Sequence, residues 1–168
     1  MAYSSDELFL AKLASALQKT RLEAIVIGNM ASILNDAPVL TQDVDLLVRD
    51  TPLNRKKLKQ LANELGGTGP GYISGLTSTE HIYGADLPID ILYEKMAGGL
   101  KFASVKSRAR PHVVGSKGEL LVVASLADVI KSKIATGREK DKAVLPILKA
   151  TLDVRRAAGL DPPEKKMK

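Results

Sequence analysis

Apolar residues fall along this chain in two rhythms, β-branched runs with a period of two and longer stretches with a period near 3.6. Leu8, Leu10, Leu13, Ala14 and Leu17 follow Ser4-Ser5-Asp6-Glu7. They predict a helix to about Lys19, with a serine cap and acids in its first turn. Leu22 to Ile27 predicts a buried strand that stops at Gly28, and Asn29 to Leu34 predicts a short helix. Asp43 to Val48 alternates acid and apolar side chains, which predicts a strand with Val44, Leu46 and Val48 on its core face. Thr51-Pro52 opens a helix running to Leu65 and ending at Gly66-Gly67. Its Arg55-Lys56-Lys57-Lys59 face predicts a solvated basic surface, with RNA contact as the rarer use of such a run.

The second half is less periodic at first. Gly66 to Gly71 predicts a flexible loop into Tyr72-Ile73-Ser74. It is not a phosphate loop, because it follows a helix and no Lys-Ser/Thr pair closes it. Thr79 to Tyr83 predicts a strand that turns through Gly84-Ala85-Asp86 into a second run, Leu87 to Tyr93. That hairpin brings His81 near the sheet, where a lone histidine reads as structural or solvent-facing, with a place near the site as the rarer alternative. Gly98 to Arg110 is basic and aperiodic, and Glu119 to Val123 predicts a last strand. Ser125 caps a helix with Val129, Ile130 and Ile134 on its apolar face, and Asp128 suits its positive first turn. A turn near Gly137 leads to a second helix, about Glu139 to Ala157, with Val144, Leu145, Leu148, Leu152 and Val154 apolar and Pro146 inside it.

Three acids stand out against this pattern. Asp43 and Asp45 share one strand face, about 6–7 Å apart, and repel unless a positive charge lies between them. A divalent cation answers that need, and hard Mg²⁺ prefers carboxylate oxygen. Asp90 sits in the middle of the Leu87–Tyr93 run, where an unpaired acid is costly.

Gly28-Asn29, thirteen intervening residues, Asp43-Val44-Asp45-Leu46 and the later Asp90 resemble the signature of the DNA polymerase β-type nucleotidyltransferase superfamily. The small stand-alone prokaryotic members look most similar, and the resemblance covers about residues 22–145. It implies an α/β (α+β) fold: a nucleotidyltransferase-like mixed sheet, helices packed on one face and a C-terminal helical pair. It also implies that Asp43 and Asp45 bridge two Mg²⁺ or Mn²⁺ ions, and that Asp90 holds the catalytic ion and helps take the acceptor's proton. Gly28 and Asn29 would cradle the β- and γ-phosphates. Lys133, Arg138 and the Lys140-Asp141 pair are similar to the same enzymes, which places Lys133 and Arg138 against the triphosphate. An Arg138–Asp141 pair at i,i+3 is the equally open alternative for Arg138. The family usually has Gly or Ser where Asn29 stands. Asparagine is bulkier but still donates from its amide.

The implied reaction moves a nucleoside monophosphate from a nucleoside triphosphate, such as ATP, to an acceptor hydroxyl and releases pyrophosphate. The acceptor is open: a small molecule, an RNA end or a protein side chain. The competing class is a catalytically silent module of the same fold, a toxin–antitoxin partner or nucleotide sensor. A basic RNA-binding accessory protein is a third. All three acids are present, which favours the enzyme.

The chain has 168 residues, 45% of them apolar, which suits one domain over 1–160 with a core at about 20–124, helices at about 125–158 and a disordered basic tail at 161–168. A net charge of +6 fits a nucleotide or nucleic acid, and equally an ordinary basic protein. There is no cysteine, which excludes disulfides and thiolate sites, and the only two histidines, far apart in sequence, argue against a His-rich metal site. Asp6, Glu7 and Lys12 interrupt the first apolar stretch and no run reaches bilayer length, so the expectation is a cytoplasmic location. Homodimerisation is left open.

Overall fold

A computed structural model describes residues 4–72 and 79–165. Its elements, in order, are α1 (Ser5–Thr20), β1 (Ala24–Ile27), α2 (Gly28–Leu34), β2 (Val44–Val48), α3 (Pro52–Glu64), β3 (Thr68–Tyr72), β4 (Glu80–Tyr83), β5 (Ile89–Tyr93), β6 (Lys95–Met96), β7 (Leu100–Lys101), α4 (Phe102–Arg108), β8 (Arg110–Val113), β9 (Leu120–Val123), α5 (Leu126–Thr136) and α6 (Glu139–Ala157). The main sheet runs β3-β4-β5-β2-β1-β9-β8. β2 pairs antiparallel with β1 and parallel with β5, β1 pairs parallel with β9, and the outer pairs are antiparallel. The expected mixed sheet and C-terminal helical pair are both present.

Local chemistry explains the element ends. Ser4 and Glu7 form a reciprocal capping box at α1. Thr51 Oγ1 accepts from the Asn54 N–H at 3.0 Å, ahead of Pro52 in the first turn of α3. Ser125 caps α5, and Gly137, at φ 61°, ends it in the left-handed region. β1 is buried along its whole length, and Val44, Leu46, Leu47 and Val48 of β2 are fully enclosed. Burial of this kind contributes roughly 1.5–3 kcal/mol per large apolar side chain, so the strands that carry the acids lie in the firmest part of the molecule.

Several expectations need correction. Leu8, Ile134 and Val154 are solvent-facing, and Phe9 takes the core position beside Leu10 and Leu13. Residues 68–72 form β3, not a loop, although Ile73 and Ser74 lie outside the described residues. The strand exists because its chain presses close to β4: a Cβ on Gly67 would lie 2.4 Å from the Tyr83 carbonyl oxygen. The aperiodic stretch holds α4 and β8. Burial of Phe102 and Val105 fixes α4, the Arg49 guanidinium lies 4.5 Å over the Phe102 ring, and Arg108 Nε donates to Asp128 at 2.9 Å. Arg55 is part-exposed but also partnered: it bonds Asp50 at 2.7 Å and Glu80 at 2.9 Å, with its guanidinium 4.3 Å over Tyr93. Asp161 accepts from Arg155 at 2.9 Å, so the start of the expected tail is tied to α6; residues 166–168 lie outside the described residues.

Candidate active site

The register of the central strands builds the site. Asp45 is the cross-strand partner of Ile27 on β1 and of Asp90 on β5. Neighbouring strands are about 4.8 Å apart, so two acids 45 residues apart in sequence stand side by side. Asp43 lies one residue before β2, and Thr41 Oγ1 donates to its carboxylate at 3.0 Å. Gly28 has φ 66°, and a Cβ there would lie 2.3 Å from Asp45 Oδ2. The Asp45 carboxylate therefore fills the space over a residue with no side chain. On the other flank His81 is the β4 partner of Asp90, and its Nδ1 lies 2.6 Å from Asp90 Oδ1.

Charge in this corner is unbalanced. Burial pushes the Asp45 carboxyl up from 3.8 to about 7; the nearby Asp43 and Asp90 add to that, while Lys133 and Lys140 pull it back. The cations come from the α5–α6 turn. Asp141 accepts from Lys133 Nζ at 3.0 Å, Thr136 Oγ1 at 2.7 Å and Arg138 Nε at 2.6 Å. Burial raises Asp141, but these three bonds outweigh it and hold the group at about 2. Arg138 forms the i,i+3 pair with Asp141 and also lines the recess that holds the acids. A cleft of about 460 Å³ opens over Gly28, Asp45 and Asp90, walled by Leu92, Met96 and Val129. A polar recess of about 160 Å³ shares Gly28, Asp45, Asp90, Lys133 and Arg138 with it, and adds Asn29, Asp43, Lys140 and Asp141. All seven site residues expected from the sequence meet here.

Two further residues belong to the site: Lys140, which the sequence shows only as part of the Lys140-Asp141 pair, and His81, which the expected hairpin brings to the sheet but which only strand register sets beside Asp90.

The donor set can be tested against the implied Mg²⁺ or Mn²⁺. Among the described residues no three His, Cys, Asp or Glu side chains converge closely enough to hold an ion. Asp43 is turned to Thr41 and Asp90 to His81. The chemistry nevertheless fits a hard cation: three carboxylates line one recess, one is short of positive charge, and Asn29 Oδ1 is a buried oxygen with no hydrogen-bond donor. Phosphate would instead be met by the Asn29 amide nitrogen.

No protein-family model matches the sequence, and no curated protein does. Solved structures do. ANT(2'')-Ia in complex with adenylyl-2''-tobramycin matches with a TM-score of 0.63 and 15% identity over 94% of this chain and 95% of that one. The solution structure of the antibiotic-resistance factor ANT(2'')-Ia gives 0.61 at 15% identity, over 92% and 91%. TM1012 from Thermotoga maritima, assigned as a nucleotidyltransferase, gives 0.58 at 15% identity, over 92% and 97%. The agreement runs nearly end to end in each case. The chain has the nucleotidyltransferase fold.

In this nucleotidyltransferase fold Gly28 opens α2 directly after β1 and admits the Asp45 carboxylate. Gly28→Ala is expected to cost about 1–2 kcal/mol for a left-handed side chain and to displace Asp45. Chemical denaturation measures the first effect. The second appears as weaker Mn²⁺ binding by calorimetry than in a matched Gly99→Ala control, a positive-φ site with open space. Equal Mn²⁺ binding in the two variants contradicts a close Gly28–Asp45 fit.

Proposed function

We propose that this chain is a metal-dependent nucleotidyltransferase, joining a nucleoside monophosphate from a triphosphate to an acceptor hydroxyl. The observation that carries the reading is the β2–β5 register, which sets Asp45 beside Asp90 at the floor of a cleft edged by Lys133, Arg138 and Lys140. Asp43, Asp45 and Asp90 would hold Mg²⁺ or Mn²⁺, which when bound neutralises the triphosphate and the charge that develops in transfer. Lys133 and Arg138 add fixed positive charge, and Asp141 holds both in place. The acceptor oxygen attacks the α-phosphorus, the bond to the β-phosphate oxygen breaks, and pyrophosphate leaves. Asp90, beside the attacking oxygen, takes the hydroxyl proton. The adenylyl-tobramycin seen in one ANT(2'')-Ia structure favours a small-molecule hydroxyl as acceptor and ATP as donor.

Among the described residues no helix is long and apolar enough to cross a membrane. The test is label transfer from each α-labelled nucleoside triphosphate with Mg²⁺ and a panel of hydroxyl acceptors. Asp90→Asn is expected to keep nucleotide affinity within about threefold and lose transfer by at least about 10²-fold, a turnover effect. Arg138→Ala removes a half-exposed guanidinium and is expected to weaken triphosphate binding by about 1–2 kcal/mol. No transfer by wild type to any acceptor, or unchanged transfer by Asp90→Asn, sinks the reading.

A further inference from the structure

We infer that His81 is the positioning residue for Asp90: its Nδ1–H grips Asp90 Oδ1 and fixes the plane in which the carboxylate faces the cleft. The inference rests on the proposed function for the role of Asp90, but its hydrogen bond is independently observable. His81 is buried, at 9% exposure. It is register-paired with Asp90 across β4 and β5, and its Nδ1 is 2.6 Å from Oδ1, the distance of a charge-assisted bond. A carboxylate oxygen accepts, so in this inference the proton of the bond is assigned to His81 Nδ1. The neighbouring strand positions show that this placement is selective. Glu80, one residue away, points to the opposite face and is held by Arg55 at 2.9 Å and by the Tyr93 hydroxyl at 2.5 Å. The two faces of β4 thus each anchor one charged group, and the face carrying His81 is the face of the cleft that Asp90 lines.

A carboxylate on a strand has a broad terminal torsion and turns freely unless bonded. Asp43 is steadied by Thr41, and Asp45 by the space over Gly28. His81 supplies the corresponding restraint for the third acid. Outer partners that orient a ligating group commonly matter 10–100-fold for metal affinity.

The test uses the full chain with two substitutions. His81→Leu removes the donor, whereas His81→Asn keeps an amide N–H near the place of Nδ1. In ¹⁵N-histidine spectra of the metal-free protein, assigned with His112→Gln because the chain has only two histidines, His81 should carry its proton on Nδ1. That signature should shift in Asp90→Ala. By calorimetry His81→Leu should bind Mn²⁺ about 10-fold or more weakly, and His81→Asn should stay within about threefold of wild type. In transfer assays the Leu variant should lose turnover more than it raises the nucleotide KM. In an Asp90→Asn background His81→Leu should add no further loss of Mn²⁺ affinity. Wild-type Mn²⁺ affinity in His81→Leu overturns the inference, as does equal impairment of both His81 variants or an unprotonated Nδ1. If the Leu variant does not fold, the Asn variant and the spectra still decide. Wild type that takes up no Mn²⁺ overturns the metal reading of the site, while the spectra alone then decide the His81–Asp90 bond.

Discussion

Asp141→Asn is expected to lower the unfolding free energy by about 3–5 kcal/mol, the cost of breaking a buried ion pair from one side. The Asp141 side chain is 2% exposed and its Lys133 partner 10%. With the carboxylate gone, the Lys133 ammonium keeps its desolvation cost and loses its counter-charge. The pH dependence gives the sign. Asp141 titrates at about 2 in the folded chain, against an ordinary 3.8. Above pH 4 both states are ionised and the folded state holds its full advantage. As pH falls from 4 towards 2 the unfolded state binds the proton first, and about 2 kcal/mol is lost. The penalty of Asp141→Asn should therefore shrink over that window. The double change Lys133→Met with Asp141→Leu should recover most of the stability, because apolar replacement removes both charges. Urea unfolding at pH 7 and pH 3 measures all of this. A loss below about 1 kcal/mol at pH 7 would show the pair to be effectively solvated.

Asp45→Asn should act in the opposite direction on stability and against function. Asp45 is pushed up to about 7 by burial and its two acidic neighbours. Between pH 4 and 7 the folded chain holds a proton that the unfolded chain has released, so wild-type stability falls as pH rises through that window, by up to about 4 kcal/mol, and is level above it. Asparagine does not titrate. Its gain over wild type should be near zero at pH 4 and largest above pH 7, where thermal unfolding should shift up by at least about 5 °C. With the proposed metal role, Mn²⁺ should reverse the order, because binding would stabilise only the chain that can ligate it. Below pH 7 wild-type Mn²⁺ affinity should rise about tenfold per pH unit, since a proton must leave. A variant no more stable than wild type at pH 8 without metal would show that Asp45 is not short of charge.

Asp43 and Asp45 were legible because they alternate with apolar residues on one strand, and Asp90 because it stands alone in an apolar run, whereas Gly28, Asn29, Lys133 and Arg138 came from the resemblance to the nucleotidyltransferase signature. The α5–α6 pair was legible through Ser125, Gly137 and a period near 3.6. What was hidden depends on contacts distant in sequence. β3, with its Thr68-Gly69-Pro70-Gly71 composition, has no strand propensity of its own and exists through β4. α4 is set by Phe102 meeting Arg49 and by Arg108 meeting Asp128. His81 is a single polar residue in a short run, and its partner is fixed only when β4 and β5 pair. The exposed Ile134 and Val154 show the converse failure, apolar positions at helical spacing that no second layer covers.

The ends of the seven-stranded sheet have a consequence of their own. Its outermost strands are β3 and β8. An open edge is a template on which a further chain can add itself, the first step towards swapped dimers and fibrils. Pro70 lies in one of these strands and Pro111 in the other, and proline offers no N–H to an incoming backbone. β3 also shifts register between Thr68 and Gly71, and β8 is four residues long with an exposed arginine at its start. Among the described residues, both margins therefore deny a newcomer a straight, continuous row of partners, which works against further growth of the sheet.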